Sequence, residues 1–289
     1  AQTGKKGEIL TALASRREQG RDSDSLYRLT LGPHPYLKRT SSRSSRMDSV
    51  FTIFMVNLGL SAALMTGVWL VSLRIRDVSI VDIAWGAAGG LIAVNTFLLA
   101  TGAPPRKILV TAMAVIWGSR LALHIGRRKL GKEEDFRYAA MRARNPESFP
   151  VRSLVTVFLL QAVLIWAISL PVQLAQTSAV PEHLTALDFL GFGVWLGGLG
   201  MESLADAQLR EFLSDPAHRG RVMDKGLWRY SRHPNYFGDS LVWWGIFLVA
   251  AATPTGWITF VSPLLMTYFL MRVSGVPMLE EALAERREG

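Results

Sequence analysis

The stretch Gly226-Leu-Trp-Arg-Tyr-Ser-Arg-His-Pro-Asn-Tyr-Phe-Gly-Asp239 is followed, after one serine, by an apolar segment at residues 241–252. The stretch contains two arginines, a histidine, an asparagine, two tyrosines and an aspartate. Polar and ionisable groups at the edge of a bilayer are costly unless they bind something. The stretch therefore predicts a ligand site at the entrance of a membrane helix. Its mixture of cationic, amide and aromatic groups suits a nucleotide cofactor that carries phosphate.

The composition is that of a membrane protein rather than a soluble domain. Of its 289 residues, 49% are hydrophobic and 19% are charged, whereas soluble domains average about 25% charged residues. The chain has no cysteine, which excludes disulfides and thiolate chemistry. Its five histidines are scattered without a recognisable metal-binding spacing, so no metal site is predicted.

Charge divides the chain into two parts. Residues 1–46 hold ten basic and four acidic residues without an apolar period, which predicts a basic, disordered tail. Residues 47–289 are predicted to form a single transmembrane domain, with a cofactor-binding half at about residues 187–281. The positive charge lies in the tail and in loops between apolar segments, which favours membrane lipids or a phosphorylated cofactor over nucleic acid as the partner.

Seven apolar segments predict an all-α, polytopic membrane helix bundle of about seven transmembrane helices with a cytosol-facing cofactor cavity. Helices satisfy their own backbone hydrogen bonds in lipid, and most of the segments approach the roughly 20 residues that cross a bilayer. Loops 126–152 and 210–232 hold eight and six basic residues. The positive-inside rule therefore places both loops on the cytoplasmic side of the membrane, which would be a bacterial inner membrane or that of an endoplasmic reticulum. The segments are residues 50–73, 80–100, 108–125, 154–174, 187–204, 241–252 and 258–273.

The motif at residues 226–239 predicts a turn followed by a helix. Pro234 disfavours regular helix before it, and Asn235 is a typical N-cap residue at a helix end that favours anions. Arg229 and Arg232 are candidates to bind phosphate oxygens, and Tyr230 and Tyr236 are candidates to flank an aromatic ring. An interfacial belt of arginine and aromatic residues is the alternative. That alternative does not account for Asn235 and Asp239.

Further candidates lie on other segments. Glu202, Asp206 and Arg210 follow one another at intervals of four residues, which predicts one helix face that is either a ligand-binding stripe or a solvated salt-bridge ladder. Arg120 lies within an apolar segment one turn before His124. A charge there costs about 3 kcal/mol unless it is paired or near the membrane edge.

Asp82 and Tyr138 are the remaining candidates for chemistry. Asp82 begins the second apolar segment, where an aspartate also stabilises a helix start. Tyr138 ends the run Glu134-Asp-Phe-Arg-Tyr138, which is either a solvated loop or a lid over a cofactor. Tyr138, Tyr236, His124 and Asp82 are thus the candidate proton donors or polarising groups, and the sequence does not rank them.

The chain from about Asp82 to Glu281 resembles the DUF1295 branch of the steroid 5-alpha-reductase-like membrane proteins. Sterol C14 and C7 reductases carry a similar Arg-His-x-Asn-Tyr-x-Gly-Asp run. The motifs that carry the resemblance are Val81-Asp-Ile-Ala-Trp-Gly86, Trp117-Gly-Ser-Arg-Leu121, His124-Ile-Gly-Arg-Arg128, Glu134-Asp-Phe-Arg-Tyr138 and the stretch from Gly226 to Asp239.

The resemblance implies a seven-helix bundle that holds NADPH in a cytosol-facing cavity built by its C-terminal helices. It implies hydride transfer to an electron-poor C=C bond of a steroid, sterol or enone lipid. The catalytic candidates are then Tyr138, His124 and Asp82. The cofactor-binding candidates are Glu202, Asp206, Arg210, Arg221, Tyr230, Arg232, His233, Asn235, Tyr236, Asp239 and Arg272.

Two departures and one rival interpretation accompany the resemblance. His124 is followed by Ile125, where steroid 5-alpha-reductases have a tyrosine that polarises the substrate carbonyl, and Glu202 stands where they have an asparagine. Membrane methyltransferases of the isoprenylcysteine or phospholipid type carry an Arg-His-Pro-x-Tyr-x-Gly run and a later Glu-Glu pair like that at residues 280–281. Their cofactor, S-adenosylmethionine, is the alternative to NADPH.

A transporter is disfavoured because the halves of the chain show no repeat.

Overall fold

Helices account for nearly all regular structure in the described part of the chain, and no strand occurs there. The structure is a computed structural model that describes residues 35–129, 131–218 and 220–273. Residues 1–34 of the predicted tail and the Glu-Glu pair at residues 280–281 lie outside these ranges. The α-helices are α1 (Pro35–Ile75), α2 (Ile80–Leu99), α3 (Pro104–Lys129), α4 (Phe136–Arg144), α5 (Phe149–Ser153), α6 (Leu160–Ile168), α7 (Leu170–Thr177), α8 (Ala186–Ser214), α9 (Pro234–Ala251) and α10 (Val261–Tyr268).

Shorter helical turns connect several of these elements. A π-helical turn at Leu154–Leu159 joins α5 to α6, and a second at Phe269–Val273 follows α10. A 3-10 turn at Gly226–Arg229 precedes α9, and another at Gly256–Phe260 precedes α10. The chain divides into two compact units, residues 1–51 and 52–289. The candidate site lies entirely within the second unit.

Five helical stretches are long and apolar enough to span a membrane. They confirm a helical, multi-pass membrane chain. Helices α8 and α9 are not among the five, because they carry the acidic and amide residues of the candidate site. The spans predicted for residues 187–204 and 241–252 therefore stay predictions. The five stretches are Ser49–Ile75, Ile80–Leu99, Pro104–Lys129, Phe149–Ile168 and Gly256–Val273.

Two pairs of helices pack closely because glycines face each other across them. A Cβ on Gly86 of α2 would lie 2.3 Å from the carbonyl oxygen of Gly118 on α3. A Cβ on Gly238 of α9 would lie 2.6 Å from the backbone nitrogen of Glu202 on α8. Only glycine permits these approaches, and they bring the polar residues of each helix pair close together. Trp117 and Trp243 fill the core between the pairs, with ring centroids 4.9 Å apart.

Two local predictions need correction. The first helix begins at Pro35, so the backbone of residues 35–46 is helical where the sequence predicted disorder. Proline is tolerated in a first helical turn, and no glycine or further proline interrupts these residues. Helix α9 begins at Pro234 with His233 as its N-cap. Asn235 is therefore inside the first turn instead of capping it, because the proline ring already has the φ value that the start of a helix requires.

Candidate active site

A cavity of about 420 Å³ lies where α2, α3, α4, α6, α8 and α9 meet the π turn after α10. Small-molecule sites typically occupy about 300–1,000 Å³ and combine an apolar wall with a few polar groups. Here α2, α3, α4, α8 and α9 contribute most of the polar side chains, and α6, α10 and the π turn contribute mostly apolar ones. The lining residues are Asp82, Trp85, Leu121, His124, Ile125, Arg128, Arg137, Tyr138, Met141, Leu160, Gln161, Leu164, Ile168, Glu202, Asp206, Asn235, Tyr236, Asp239, Met266, Phe269, Leu270 and Val273.

Arg120 connects α3 to α8 at the polar side of the cavity. Its guanidinium forms ion pairs with both Glu202 and Asp206 and also donates to the backbone oxygen of Glu202 at 3.2 Å. The two carboxylates are largely buried. The ladder predicted between Glu202, Asp206 and Arg210 is therefore not formed as such, because the acidic residues turn inward to α3 and Arg210 stays exposed. This pairing also offsets the cost of placing Arg120 in an apolar helix.

Helix α9 adds an amide and a third carboxylate to the same region. Asn235 donates from Nδ2 to Asp206 at 3.1 Å. His124 Nε2 lies 3.5 Å from the Asp206 carboxylate. Asp239 accepts a hydrogen bond from the Trp117 indole at 3.0 Å. Residues that are far apart in the sequence thus form one polar cluster.

Two buried acceptors in this cluster lack a donor. Among the described residues, the Oε2 atom of Glu202 and the Oδ1 atom of Asn235 have no hydrogen-bond partner, and both residues line the cavity. Leaving a buried polar atom unpaired costs about 1–3 kcal/mol. These two oxygens are therefore positioned to accept hydrogen bonds from N–H or O–H groups of a ligand.

A second group of polar side chains lines the same cavity and centres on Asp82. Its carboxylate accepts the Tyr138 hydroxyl proton at 2.8 Å and a hydrogen bond from Arg137 at 2.8 Å. Gln161 lies on the far side of the phenol, with Nε2 3.4 Å from the Tyr138 oxygen. Burial raises the pKa of Tyr138, and the negative charge of Asp82 raises it further. The phenol is therefore held as a neutral proton donor.

The acidic run before Tyr138 ties α4 to the start of α2. Glu134 accepts the backbone N–H of Val78 at 2.8 Å and pairs with Arg142 at 2.8 Å. Asp135 caps α4 through the backbone of Arg137 and also pairs with its guanidinium. The run predicted to be either a solvated loop or a lid is thus a bonded connection. It fixes the position of Tyr138 against Asp82.

The structure brings together part of the predicted site and leaves the rest outside the cavity. Asp82, His124, Tyr138, Glu202, Asp206, Asn235, Tyr236 and Asp239 line the cavity. His233 is buried beside it and stacks on Tyr236, with ring centroids 5.5 Å apart. Tyr230 is 85% exposed and does not line the cavity. Arg210, Arg221, Arg232 and Arg272 are also exposed and outside the lining set.

Three charged or amide residues of the lining were not predicted as site residues. Arg137 holds Asp82 as described above. Arg128 lines the cavity and has no ion-pair partner among the described residues. Gln161 lies among apolar residues of the span Phe149–Ile168, and an amide in such a segment is the sequence signal that identifies it. Arg128 had no such signal, because it lies in a run of basic residues at the end of α3.

Comparison with known proteins identifies the family but not an activity. No solved structure matches the chain. An uncharacterized protein of Schizosaccharomyces pombe, C594.04c, is 23% identical over 222 residues, which cover 68% of this chain and 64% of that protein. The chain therefore matches less than two thirds of that relative's length. The model of a family described as a protein of unknown function, DUF1295, matches residues 68–289. This chain belongs to the DUF1295 family, as the motifs around Asp82, Tyr138 and Asn235 indicate.

Proposed function

We propose that this protein is a membrane oxidoreductase that uses NADPH to reduce an activated C=C bond of a steroid, sterol or enone lipid. The observation that carries the proposal is one cavity lined both by two acceptors without a donor among the described residues, on Glu202 and Asn235, and by the hydrogen-bonded Asp82–Tyr138 pair. Such a cavity offers one side to a cofactor and the other to an acceptor. The DUF1295 resemblance to steroid 5-alpha-reductase-like proteins supports the same activity.

The polar side has groups that fit a nicotinamide dinucleotide. Glu202 and Asn235 would accept hydrogen bonds from carboxamide or ribose groups, which supply N–H and O–H donors. Arg128, which has no ion-pair partner among the described residues, would meet a phosphate, and arginine suits phosphate through its planar set of donors. The aromatic rings of Trp85 and Tyr236 line the same cavity. The bound cofactor would supply hydride to one carbon of the C=C bond.

Tyr138, its partners Asp82 and Arg137, and the apolar lining of the cavity would supply the proton and the exclusion of water that the reaction requires. Saturating a C=C bond takes one hydride and one proton, so a proton donor must reach the second carbon. In the proposal that donor is Tyr138, whose hydroxyl turns from Asp82 towards the cavity. Arg137 remains paired with Asp82 when the hydroxyl turns. The apolar side chains of α6 and α10 exclude water from the reacting atoms.

A membrane methyltransferase remains the second candidate because the polar side is acidic. Asp82, Glu202, Asp206 and Asp239 all line the cavity. S-adenosylmethionine carries cationic sulfonium and ammonium groups that carboxylates favour. Arg120 and Arg137 already pair with three of these four residues, which reduces that attraction. The proposal therefore favours NADPH.

A direct binding measurement separates the two candidates. Purified protein in detergent is titrated with NADPH and, separately, with S-adenosylmethionine, and binding is followed by tryptophan fluorescence because Trp85 lines the cavity. We expect saturable binding of NADPH and none of S-adenosylmethionine. The reverse result would assign the protein to the methyltransferases, and no binding of either would remove both candidates.

A further inference from the structure

The three glutamines on α6 and α7 are paired to different extents. Gln173 and Gln176 on α7 are fully buried. Gln173 accepts from Asn57 at 2.9 Å and donates to the Trp166 oxygen at 3.2 Å. Gln176 accepts from Thr111 at 3.2 Å and donates to the Ala93 oxygen at 3.1 Å. In each of these two residues both the carbonyl oxygen and the amide nitrogen have a partner inside the protein, so their role is structural.

Gln161 differs from them in position and in pairing. It lies in the first turn of α6 and lines the cavity. Its one hydrogen bond within the described residues runs from Nε2 to the Tyr138 oxygen at 3.4 Å, which is long for an N–H···O contact. Its carbonyl oxygen and its second N–H have no partner among the described residues. An underused amide in an apolar span is costly unless a ligand uses it.

The Tyr138 hydroxyl is already committed in the structure. It donates to Asp82 at 2.8 Å, and Arg137 holds the other oxygen of that carboxylate at 2.8 Å. The phenol therefore cannot polarise a ligand oxygen without first giving up this hydrogen bond. Gln161 can donate its remaining N–H without breaking any bond. At this end of the cavity, Gln161 is the donor that is ready for a ligand.

The surroundings of Gln161 define the rest of such a ligand. The other lining residues near this end include side chains of α6, Met266 of α10 and three residues of the following π turn, Val273 among them. Both π turns, Leu154–Leu159 and Phe269–Val273, adjoin this wall, and π turns inside helices are frequent at functional sites. The apolar wall consists of Leu160, Leu164, Ile168, Met266, Phe269 and Leu270.

We infer that Gln161 is the specificity residue that binds the oxygen of the substrate, donating from Nε2 to a carbonyl on an otherwise apolar molecule. It is the group that distinguishes a lipid ketone from the corresponding hydrocarbon. It also turns the conjugated C=C bond towards Tyr138. This inference rests on the proposed function, because it names the class of substrate that the same cavity binds.

The inference is tested with matched ligands that differ by one oxygen. Androst-4-en-3-one is compared with androst-4-ene, and tridec-3-en-2-one with tridec-3-ene, by titration of the full chain in detergent without cofactor. Each ligand partitions into micelles equally for every variant, so the change in the ketone-to-hydrocarbon affinity ratio isolates the protein's contribution. We expect Gln161→Leu to lower this ratio by about 2- to 10-fold for at least one pair, the value of one neutral hydrogen bond.

The controls separate binding from folding. Thr156→Val removes a hydroxyl from the exposed face of the neighbouring π turn and is expected to leave the ratio unchanged. Gln161→Met keeps the length of the side chain and replaces Gln161→Leu if the latter does not fold. An unchanged ratio in the Gln161 variants, or no saturable binding of either ketone to the wild type, would overturn the inference.

The outcome is independent of the cofactor. Loss of ketone preference in a protein that does not bind NADPH would support the role of Gln161 and contradict the proposed function. NADPH binding combined with an unchanged ketone-to-hydrocarbon ratio would support the proposed function and contradict the role of Gln161.

Discussion

Near the C-terminal end of α2, Thr96 accepts a hydrogen bond at 2.8 Å from Asn57 of α1. Asn57 also donates to Gln173 of α7 at 2.9 Å. Near the N-terminal end of α2, Asp82 lines a cavity in which acceptors of Glu202 and Asn235 find no donor in the part of the chain that the structure describes. Fourteen residues separate Asp82 from Thr96, or about 21 Å at a rise of about 1.5 Å per residue. The first cluster is closed and the second is open, which indicates that the first stabilises the bundle and the second receives a ligand.

The closed region also contains a buried ion pair. Arg106 forms two hydrogen bonds with Asp188, at 2.8 and 2.9 Å, and donates to the backbone oxygen of Pro181 at 2.8 Å. Arg106 is 1% exposed and Asp188 is fully buried. Every charge here has a partner within the protein. The two regions therefore predict different consequences for substitution: loss of stability in one and loss of ligand binding or turnover in the other.

The largest expected effect is on turnover. Tyr138→Phe removes the proposed proton donor and keeps the ring, so we expect turnover with an enone lipid to fall by about 10²- to 10⁴-fold while NADPH binding and thermal stability stay near wild type. NADPH oxidation measured by absorbance checks this. Because burial and Asp82 raise the pKa of Tyr138, the wild-type rate should not fall through this group in the mildly alkaline range. Tyr230→Phe, at an exposed tyrosine, is the control, and equal rates in the two variants would refute the role.

The next effect is on stability in the closed region. Arg106→Met leaves the buried Asp188 without its cation, and breaking such a pair costs about 3–5 kcal/mol. We expect a markedly lower unfolding temperature in detergent, with unchanged NADPH affinity of the folded fraction. Arg127→Met, which removes an exposed arginine from the same helix, should leave the unfolding temperature unchanged. An equally small effect of both substitutions would contradict the structural role of the pair.

A smaller loss of stability is expected at Gln173. Gln173→Leu removes the acceptor of Asn57 and the donor to Trp166, and unsatisfied buried groups cost about 1–3 kcal/mol. Gln161→Leu, at the glutamine with one long hydrogen bond, should cost less. Differential scanning fluorimetry of the two variants measures the difference. If Gln161→Leu were the more destabilising substitution, Gln161 would belong with the structural glutamines.

The smallest effect concerns the exposed arginines of the motif. Arg229 is exposed and does not line the cavity. A surface charge contributes about 0–1 kcal/mol, so Arg229→Ala should weaken NADPH binding by no more than about fivefold, whereas Asn235→Ala should weaken it far more. Equal losses in the two titrations would reassign Arg229 to the site.

The sequence predicted the helical class, the family resemblance and many of the cavity residues. The signals were local: charged or amide groups such as Asp82 and Asn235 at the ends of apolar segments. The partners of these groups were not predictable, because Arg120 meets Glu202 and Asp206 across 82 and 86 residues of chain. The buried pair of Arg106 and Asp188 was missed for the same reason.

The limits of the cavity also depend on tertiary packing. Of the three glycines at positions 197–200 of α8, just before Glu202, only Gly198 lies against α9, since Gly197 and Gly200 have nothing within 4 Å of an added Cβ among the described residues. The two tyrosines of the motif also differ. Tyr236 lines the cavity, whereas Tyr230, six residues earlier, is exposed. Spacing within one motif does not decide which side chains face inward, because the 3-10 turn and the start of α9 orient them differently.

The most direct test of the account measures unfolding temperature with and without saturating NADPH for the wild type, Asn235→Ala and Gln173→Leu. A ligand at about 100 times its dissociation constant adds about 2.7 kcal/mol of stability. We expect a clear NADPH-induced rise for the wild type and for the destabilised Gln173→Leu, and none for Asn235→Ala. A full rise in Asn235→Ala, or no rise in the wild type, would contradict the account.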